Sequence, residues 1–381
     1  MKATHKRAVV LALVILLGAF AAGSKAAENF FDLFNLSESR DGYYTMKDLK
    51  DGSPVLRTAR ILHPGDEYID EANRYYRVVR LEEKTAWVEQ VKSKGPLAGE
   101  IRGPLSTGGE MAAAGDQKGK PAVGIYHTHG AESYVPSDGT DTIDQGGGIL
   151  QVGDTLAKAL ENKGFDVNHV REPHTPHDAG AYQRSRRTAE KLLTQGDQII
   201  FDMHRDAVPP EEYEEEVEGE EVTKILLVVG QQNQNADNNR NFALKLKEIA
   251  DKEHPGLIKG ILGAQGNYNQ DLTSQGILLE VGAHENERED AENAVALFAD
   301  VVEIYVASSA ASPGETAQSN RLSLGSVLKV FLLLAAVLLA YLLIAAGSLE
   351  EFKRKISNFF RREFADLRNF NRRDRGGRKD E

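Results

Sequence analysis

From Pro121 to about Ser308 the apolar positions switch repeatedly between two periods. Val123–Tyr126 predicts a short strand that runs into a histidine-rich turn. Ile149, Val152, Leu156 and Leu160 recur at helical spacing and predict a helix over 149–162, with Gly164 as its stop. Phe165–Val170, Gln198–Met203 and Gly276–Val281 read as strands, and Ala181–Leu193, Asn238–Lys252 and Arg288–Val306 as helices. Lys224–Val229 (KILLVV) is almost continuously apolar, as a strand buried on both faces should be. This alternation predicts an α/β domain over 121–308, on a mostly parallel sheet with helices on both faces.

The flanking segments have different patterns. Over 28–93, period-two stretches such as Tyr75–Leu81 and Thr85–Val91 stand between turn signals at Asp51-Gly52 and Pro64-Gly65. They predict a small β-rich domain without a catalytic cluster. Residues 94–120 are rich in Gly, Pro, Ser and Ala, keep no apolar period and read as a linker; 309–326 reads as a second one. Segment 1–27 carries Lys2, Lys6 and Arg7 before an apolar run from Ala8 to Gly23. That is the pattern of a secretory signal or of an uncleaved N-terminal anchor. Val327 to Gly347 is apolar all round apart from Lys329 and predicts a transmembrane helix. The tail 348–381 holds 11 Lys and Arg against seven acids, which places it on the cytoplasmic side. Both termini are thus expected inside, unless the first segment is cleaved. The α/β domain over 121–308 is expected outside a cell membrane.

Composition narrows the chemistry. The 381 residues include no cysteine, which excludes disulfides, thiolate metal sites and a cysteine nucleophile. Any metal must be held by His, Asp and Glu. The net charge is −12; setting aside the +3 of residues 1–7 and the +4 of residues 348–381 leaves −19 for residues 8–347. So acidic a body argues against nucleic acid as a partner. Glu211–Glu221 contains eight glutamates in 11 residues and reads as a solvated hairpin tip or loop.

Three predicted strands end in the same kinds of residue: Tyr126-His127-Thr128-His129-Gly130-Ala131-Glu132, then Asp202-Met203-His204-Arg205-Asp206, then Glu280-Val281-Gly282-Ala283-His284-Glu285-Asn286. Carboxyl ends of parallel strands share one sheet edge, so these residues should converge in one crevice. His129, Glu132 and His204 form the ligand set of a catalytic Zn2+ site with a fourth position open. Glu280, at the end of an apolar strand, is placed as general base and then acid. His127 is a further ligand, a partner of a ligand or an oxyanion contact. His127, Asp202, Arg205, His177, His284 and Asn286 are expected to orient the ligands or to meet substrate. The run Pro173–Asp178, with His174 and His177, precedes a helix bearing Arg184, Arg186 and Arg187. Asp178 reads as the cap of that helix.

The stretches IYHTHGAESY, PHTPHD with the following Y and SR, FDMHRDA and LLEVGAHEN together resemble the stage II sporulation protein P family over about 121–305. The resemblance implies a cell-wall hydrolase: a zinc N-acetylmuramoyl-L-alanine amidase, also credited with endopeptidase cleavage of cross-links. It implies peptidoglycan as substrate and action outside the membrane with a lytic transglycosylase, stage II sporulation protein D, during engulfment. The implied fold is similar to zinc amidases and zinc carboxypeptidases, with the motif falling on His129, Glu132, His204 and Glu280. A peptide-only carboxypeptidase or endopeptidase and a non-catalytic wall-binding scaffold are the rival readings.

Overall fold

The structure, a computed structural model, describes residues 38–39, 41–91, 120–178 and 180–311. All lie in the first of two compact units, residues 1–315. Thirteen strands are described: β1 (Tyr44–Asp48), β2 (Pro54–Thr58), β3 (Glu67–Asp70), β4 (Tyr75–Glu82), β5 (Thr85–Gln90), β6 (Val123–Tyr126), β7 (Val167–His169), β8 (Ile199–Asp206), β9 (Glu214–Val217), β10 (Glu220–Thr223), β11 (Ile225–Gly230), β12 (Ile258–Ala264) and β13 (Gly276–Ala283). The main helices are α1 (Ile149–Asn162), α2 (Ala181–Gln195), α3 (Ala236–Glu253) and α4 (Arg288–Ala311).

Eleven strands form one sheet in the order β2-β1-β5-β4-β3-β12-β11-β13-β8-β6-β7. Five of its ten neighbouring pairs are antiparallel, so the sheet is mixed and the expectation of a mostly parallel one is corrected. Four of the five involve the N-terminal strands β1–β5, which join this sheet instead of forming a separate one, and the fifth lies in β11. Its six residues are all buried, as the apolar run required, but burial on both faces says nothing of direction. After β8 the chain turns through the β9–β10 hairpin and re-enters the sheet antiparallel to β13. The longest uniformly parallel block is β13-β8-β6-β7. It carries all three strand ends singled out by sequence.

The β-rich segment is continuous with this sheet, because β3 pairs with β12. Its strands fold back over one face. Met46, Leu56, Leu62, Tyr68 and Val78 share a core with Leu226, Val228, Leu262 and Leu278. The opposite faces of the same strands, through Phe201, Leu227 and Leu279, pack on the apolar stripes of α1, α3 and α4. Helices therefore do not cover both faces evenly. Strands take their place on one of them, beside α2, whose Tyr182 joins the same core.

Helix ends follow the local chemistry. Gly196 adopts φ +102° and closes α2, a left-handed conformation that glycine reaches without steric cost. Asp178 accepts from the Gly180 amide at 2.9 Å just ahead of that helix. The glutamate-rich segment is a hairpin: Glu218 and Gly219 turn the chain, while Val217 and Val222 are buried and the glutamates between them face outward or sit half-buried.

Among the described residues no helix is long and apolar enough to cross a membrane. The longest, α4, carries six charged side chains along 24 residues and packs on the sheet instead. The two apolar runs near the termini, the tail 348–381 and most of both linkers lie outside the described residues. The expectation of two membrane segments, and with it the assignment to a cell membrane, is therefore withdrawn.

Candidate metal centre

The site is built at the carboxyl edge of the parallel block. β6 ends at Tyr126, beside Asp202 of β8. The Asp202 carboxylate accepts the Thr128 amide at 2.7 Å and the Thr128 hydroxyl at 2.6 Å, which fixes the turn carrying His129 and Glu132. The other end of that turn is held by Arg205. Its backbone amide donates to Glu132 Oε2 at 2.9 Å, and its guanidinium donates to the carbonyls of Ser133 and Asp141. In the register of β8 and β13, His204 stands directly beside Glu280.

Four side chains then converge: Glu38, His129, Glu132 and His204 offer ligand atoms that all lie within 4.8 Å of one another. Glu132 Oε1 is 3.5 Å from His129 Nδ1 and 3.5 Å from His204 Nδ1. Donors about 2.0–2.2 Å from one tetrahedral ion stand about 3.3–3.6 Å apart, so the spacing suits a single small cation. Two of these atoms, Glu132 Oε1 and His204 Nδ1, are buried without a hydrogen-bond partner. Buried polar atoms left so are costly, and a cation would satisfy both. The set is imidazole and carboxylate without sulfur, which a zinc ion accepts.

The electrostatics lead to the same place. Burial works against the Glu132 carboxylate, yet His204 and His129 outweigh it and hold its pKa far below the usual range. Burial also disfavours the His204 imidazolium, but Asp202 and Glu132 raise its pKa well above the ordinary value. For His129, burial is likewise outweighed, chiefly by Glu38. The pocket is thus shaped for positive charge. Asp202 Oδ1 lies 3.1 Å from His204 Nε2 and so aims the opposite nitrogen, Nδ1, into the cluster.

Glu280 is 1% exposed, and burial pushes its carboxyl up to about 7 against the pull of Arg60. Arg60 Nε donates to Glu280 Oε1 at 2.6 Å, while Glu280 Oε2 is buried and without a partner. A carboxyl held near neutrality, with one oxygen anchored and one free, is suited to accept and return a proton.

Of the other residues expected at the site, His177 stacks on His129 with centroids 4.0 Å apart and places Nε2 3.2 Å from Glu38 Oε2. His127 is buried but outside the donor cluster. Its Nε2 lies 2.8 Å from His169 Nε2, and burial, then His169, depresses its pKa. Asn286 accepts the Ala283 amide and donates to the Pro210 carbonyl, closing the turn after β13. His284 sits in the same turn, its backbone tied to Asp206 and Val135. Neither belongs to the donor cluster. His174 hydrogen-bonds the His127 carbonyl and Thr188, and Arg184 the carbonyls of His174 and Pro176, so this run braces a loop.

Sequence reasoning misses three residues of the site: Glu38, Arg60 and Tyr182. Arg60 is fully buried, with Nη1 donating to Tyr182 Oη at 2.9 Å. In sequence Arg60 is one charge among apolar neighbours, and Glu38 one acid in a polar stretch. Tyr182 is the tyrosine quoted after the PHTPHD run in the family resemblance, which gives it no role at the site.

The fold and site define an α/β protein whose sheet edge gathers imidazoles and carboxylates fit to hold one metal ion beside a buried carboxyl group. The chain belongs to the stage II sporulation protein P family: the family model described as Stage II sporulation protein P (SpoIIP) matches residues 67–303, more than half of its length. The stage II sporulation protein P of Bacillus subtilis (strain 168) is 31% identical over 201 residues, which are 48% of this chain and 50% of that protein. The chain thus matches about half the length of this curated relative. Among solved structures, the N-acetylmuramyl-L-alanine amidase Ami1 from Mycobacterium smegmatis is similar over 51% of this chain and 98% of its own, at 15% identity and a TM-score of 0.33. The CwlD amidase from Clostridioides difficile, solved in complex with the GerS lipoprotein, covers 50% of this chain and 98% of its own, at 13% identity and a TM-score of 0.34. Likenesses at this level decide nothing about the chemistry.

Proposed function

We propose that this chain is a peptidoglycan hydrolase, a zinc-dependent N-acetylmuramoyl-L-alanine amidase acting in wall remodelling during sporulation. The bond cut joins the lactyl carbonyl of N-acetylmuramic acid to the amino group of the L-alanine that begins the stem peptide. The observation that carries the reading is the buried His129–Glu132–His204 donor set with Glu280 beside it at one sheet edge. Membership of the sporulation protein P family supports the wall context. Partnership with a lytic transglycosylase rests on the family resemblance alone.

His129, Glu132 and His204 would hold the ion. When bound, zinc supplies Lewis-acid polarisation of the amide carbonyl and lowers the pKa of water towards neutrality. The protein's own groups do the rest. Glu280 takes a proton from the attacking water through its free Oε2 and delivers it to the leaving alanine nitrogen as the C–N bond breaks. Asp202 keeps the His204 ring in its orientation, and Arg205 fixes the Glu132 carboxylate through a backbone amide. The acidic body does not attract an anionic wall by charge, so recognition has to be local to this edge.

The test is to incubate the full chain with purified peptidoglycan, with and without a chelator, and to weigh the soluble products. Free stem peptides beginning at L-alanine, lost on chelation and restored by zinc, are expected. Muropeptides with shortened or uncross-linked stems would replace the amidase by a peptidase. No release under any metal condition would overturn both in favour of a wall-binding scaffold.

A further inference from the structure

Glu38 is the one member of the donor cluster that comes from outside the α/β region, and both it and Arg60 lie outside residues 67–303 matched by the family model. The two pair in an isolated antiparallel bridge, and the Ser39 amide donates to the Ala59 carbonyl at 2.7 Å. This seats the Glu38 carboxylate in the site. Oε1 lies 3.2 Å from His129 Nδ1, 3.8 Å from His204 Nδ1 and 3.0 Å from Arg60 Nη2. Oε2 lies 3.2 Å from His177 Nε2. A single carboxylate oxygen thus stands between the imidazole donors and a buried guanidinium.

That is the place an amide carbonyl oxygen would need during hydrolysis, since negative charge develops on it and requires donors already aimed at it. Arg60 meets the requirement. It is fully buried, its Nε and Nη1 are committed to Glu280 and Tyr182, and Nη2 has no hydrogen bond of its own apart from the ionic contact with Glu38. A planar guanidinium fixed on two sides presents its remaining donors in one direction only. Glu38, with a side chain still 17% exposed and reaching in from a short bridge, is the group that can withdraw.

We propose that Glu38 is an internal, displaceable occupant of the substrate oxygen position, and that Arg60 receives the scissile carbonyl oxygen once Glu38 leaves. The inference rests on the amidase reading and adds to it a competing side chain and an oxyanion donor, both supplied by the segment ahead of β3. Substrate must then displace Glu38 to bind. An internal occupant in place about nine-tenths of the time weakens the apparent affinity of any competitor about tenfold.

The test uses the full chain loaded with cobalt(II), whose visible spectrum reports its ligands, and acetate as a small carboxylate probe. Glu38→Gln should change the cobalt spectrum, tighten acetate binding roughly tenfold by spectral titration and lower the KM for peptidoglycan. In the Glu38→Gln background, Arg60→Met should abolish the acetate gain and lower kcat, while Arg60→Lys, which keeps the charge, should restore part of both. Circular dichroism and thermal unfolding of Arg60→Met and Arg60→Lys identify any loss that comes from misfolding, and the lysine variant then decides the point. An unchanged spectrum and acetate affinity in Glu38→Gln would overturn the role of Glu38. Undiminished acetate binding and kcat in a folded Arg60 variant would overturn that of Arg60. Failure of the unaltered chain to take up cobalt or to release stem peptides would instead sink the amidase reading, and the inference with it.

Discussion

Glu280 shows how one side chain's environment sets its chemistry. The same carboxyl in water would titrate near 4.5, but burial lifts it to about 7. Since the base must be ionised to accept a proton, kcat/KM should fall about tenfold for each pH unit below 7 and level off above it. A pH–rate profile whose acid limb lies near 4.5 would show that burial does not govern this group. Glu280→Gln keeps an acceptor oxygen for Arg60 and should leave the fold and metal content intact while lowering kcat by about 10²–10⁴-fold. Metal analysis alongside kinetics separates that outcome from a structural loss. Asp202 acts one step removed. It holds both the Thr128 turn and the His204 ring, so Asp202→Asn should weaken metal retention against a competing chelator by about 10–100-fold. Unaltered retention would mean that the ring is oriented by something else.

At the scale of elements, the decisive feature is the irregularity at the end of β13. Pairing with β8 runs in register through Glu280 and then shifts before Ala283. Gly282 makes this possible: it adopts φ +72°, and a Cβ there would stand 2.8 Å from Thr223 Cγ2. A left-handed conformation is costly for any residue with a side chain. Gly282→Ala should destabilise the protein by about 1–3 kcal/mol in urea unfolding. It should also reduce kcat by more than it changes metal content, because the bulge sets the aim of Glu280. Equal stability of the variant and the parent would show that the bulge can relax elsewhere. The β9–β10 hairpin matters in a different way. Its glutamates contribute no ligand to the cluster, while its two buried valines and its return path reverse β11.

At the scale of the molecule, the N-terminal strands are part of the domain core. They cover Leu226, Val228, Leu262 and Leu278, and they deliver Arg60 to Glu280. A chain shortened to residues 120–311 should therefore expose that apolar face, bind a hydrophobic dye and show fast hydrogen exchange in β11, β12 and β13. A well-protected, monomeric product would contradict this account of the core. Asp206 strengthens the junction. Its Oδ1 accepts the Ala59 amide at 2.7 Å and its Oδ2 the Tyr213 hydroxyl at 2.9 Å.

The helices were legible almost residue by residue, because an amphipathic stripe such as Ile149, Val152, Leu156 and Leu160 forces both a period and a buried face. The strand ends carrying His129, Glu132, His204 and Glu280 were legible too, since packing alone seldom calls for a polar cluster at the close of an apolar strand, and three of those four meet in the donor cluster. Strand direction was not legible. Lys224–Val229 announces that it is buried but not which way it runs, and the hairpin before it decided that. Nor could any local pattern show that Glu38 and Arg60, from a segment without an evident site, would reach the far end of the sheet order. A charge is drawn into a protein interior by partners distant in sequence, and only the folded chain brings those partners together.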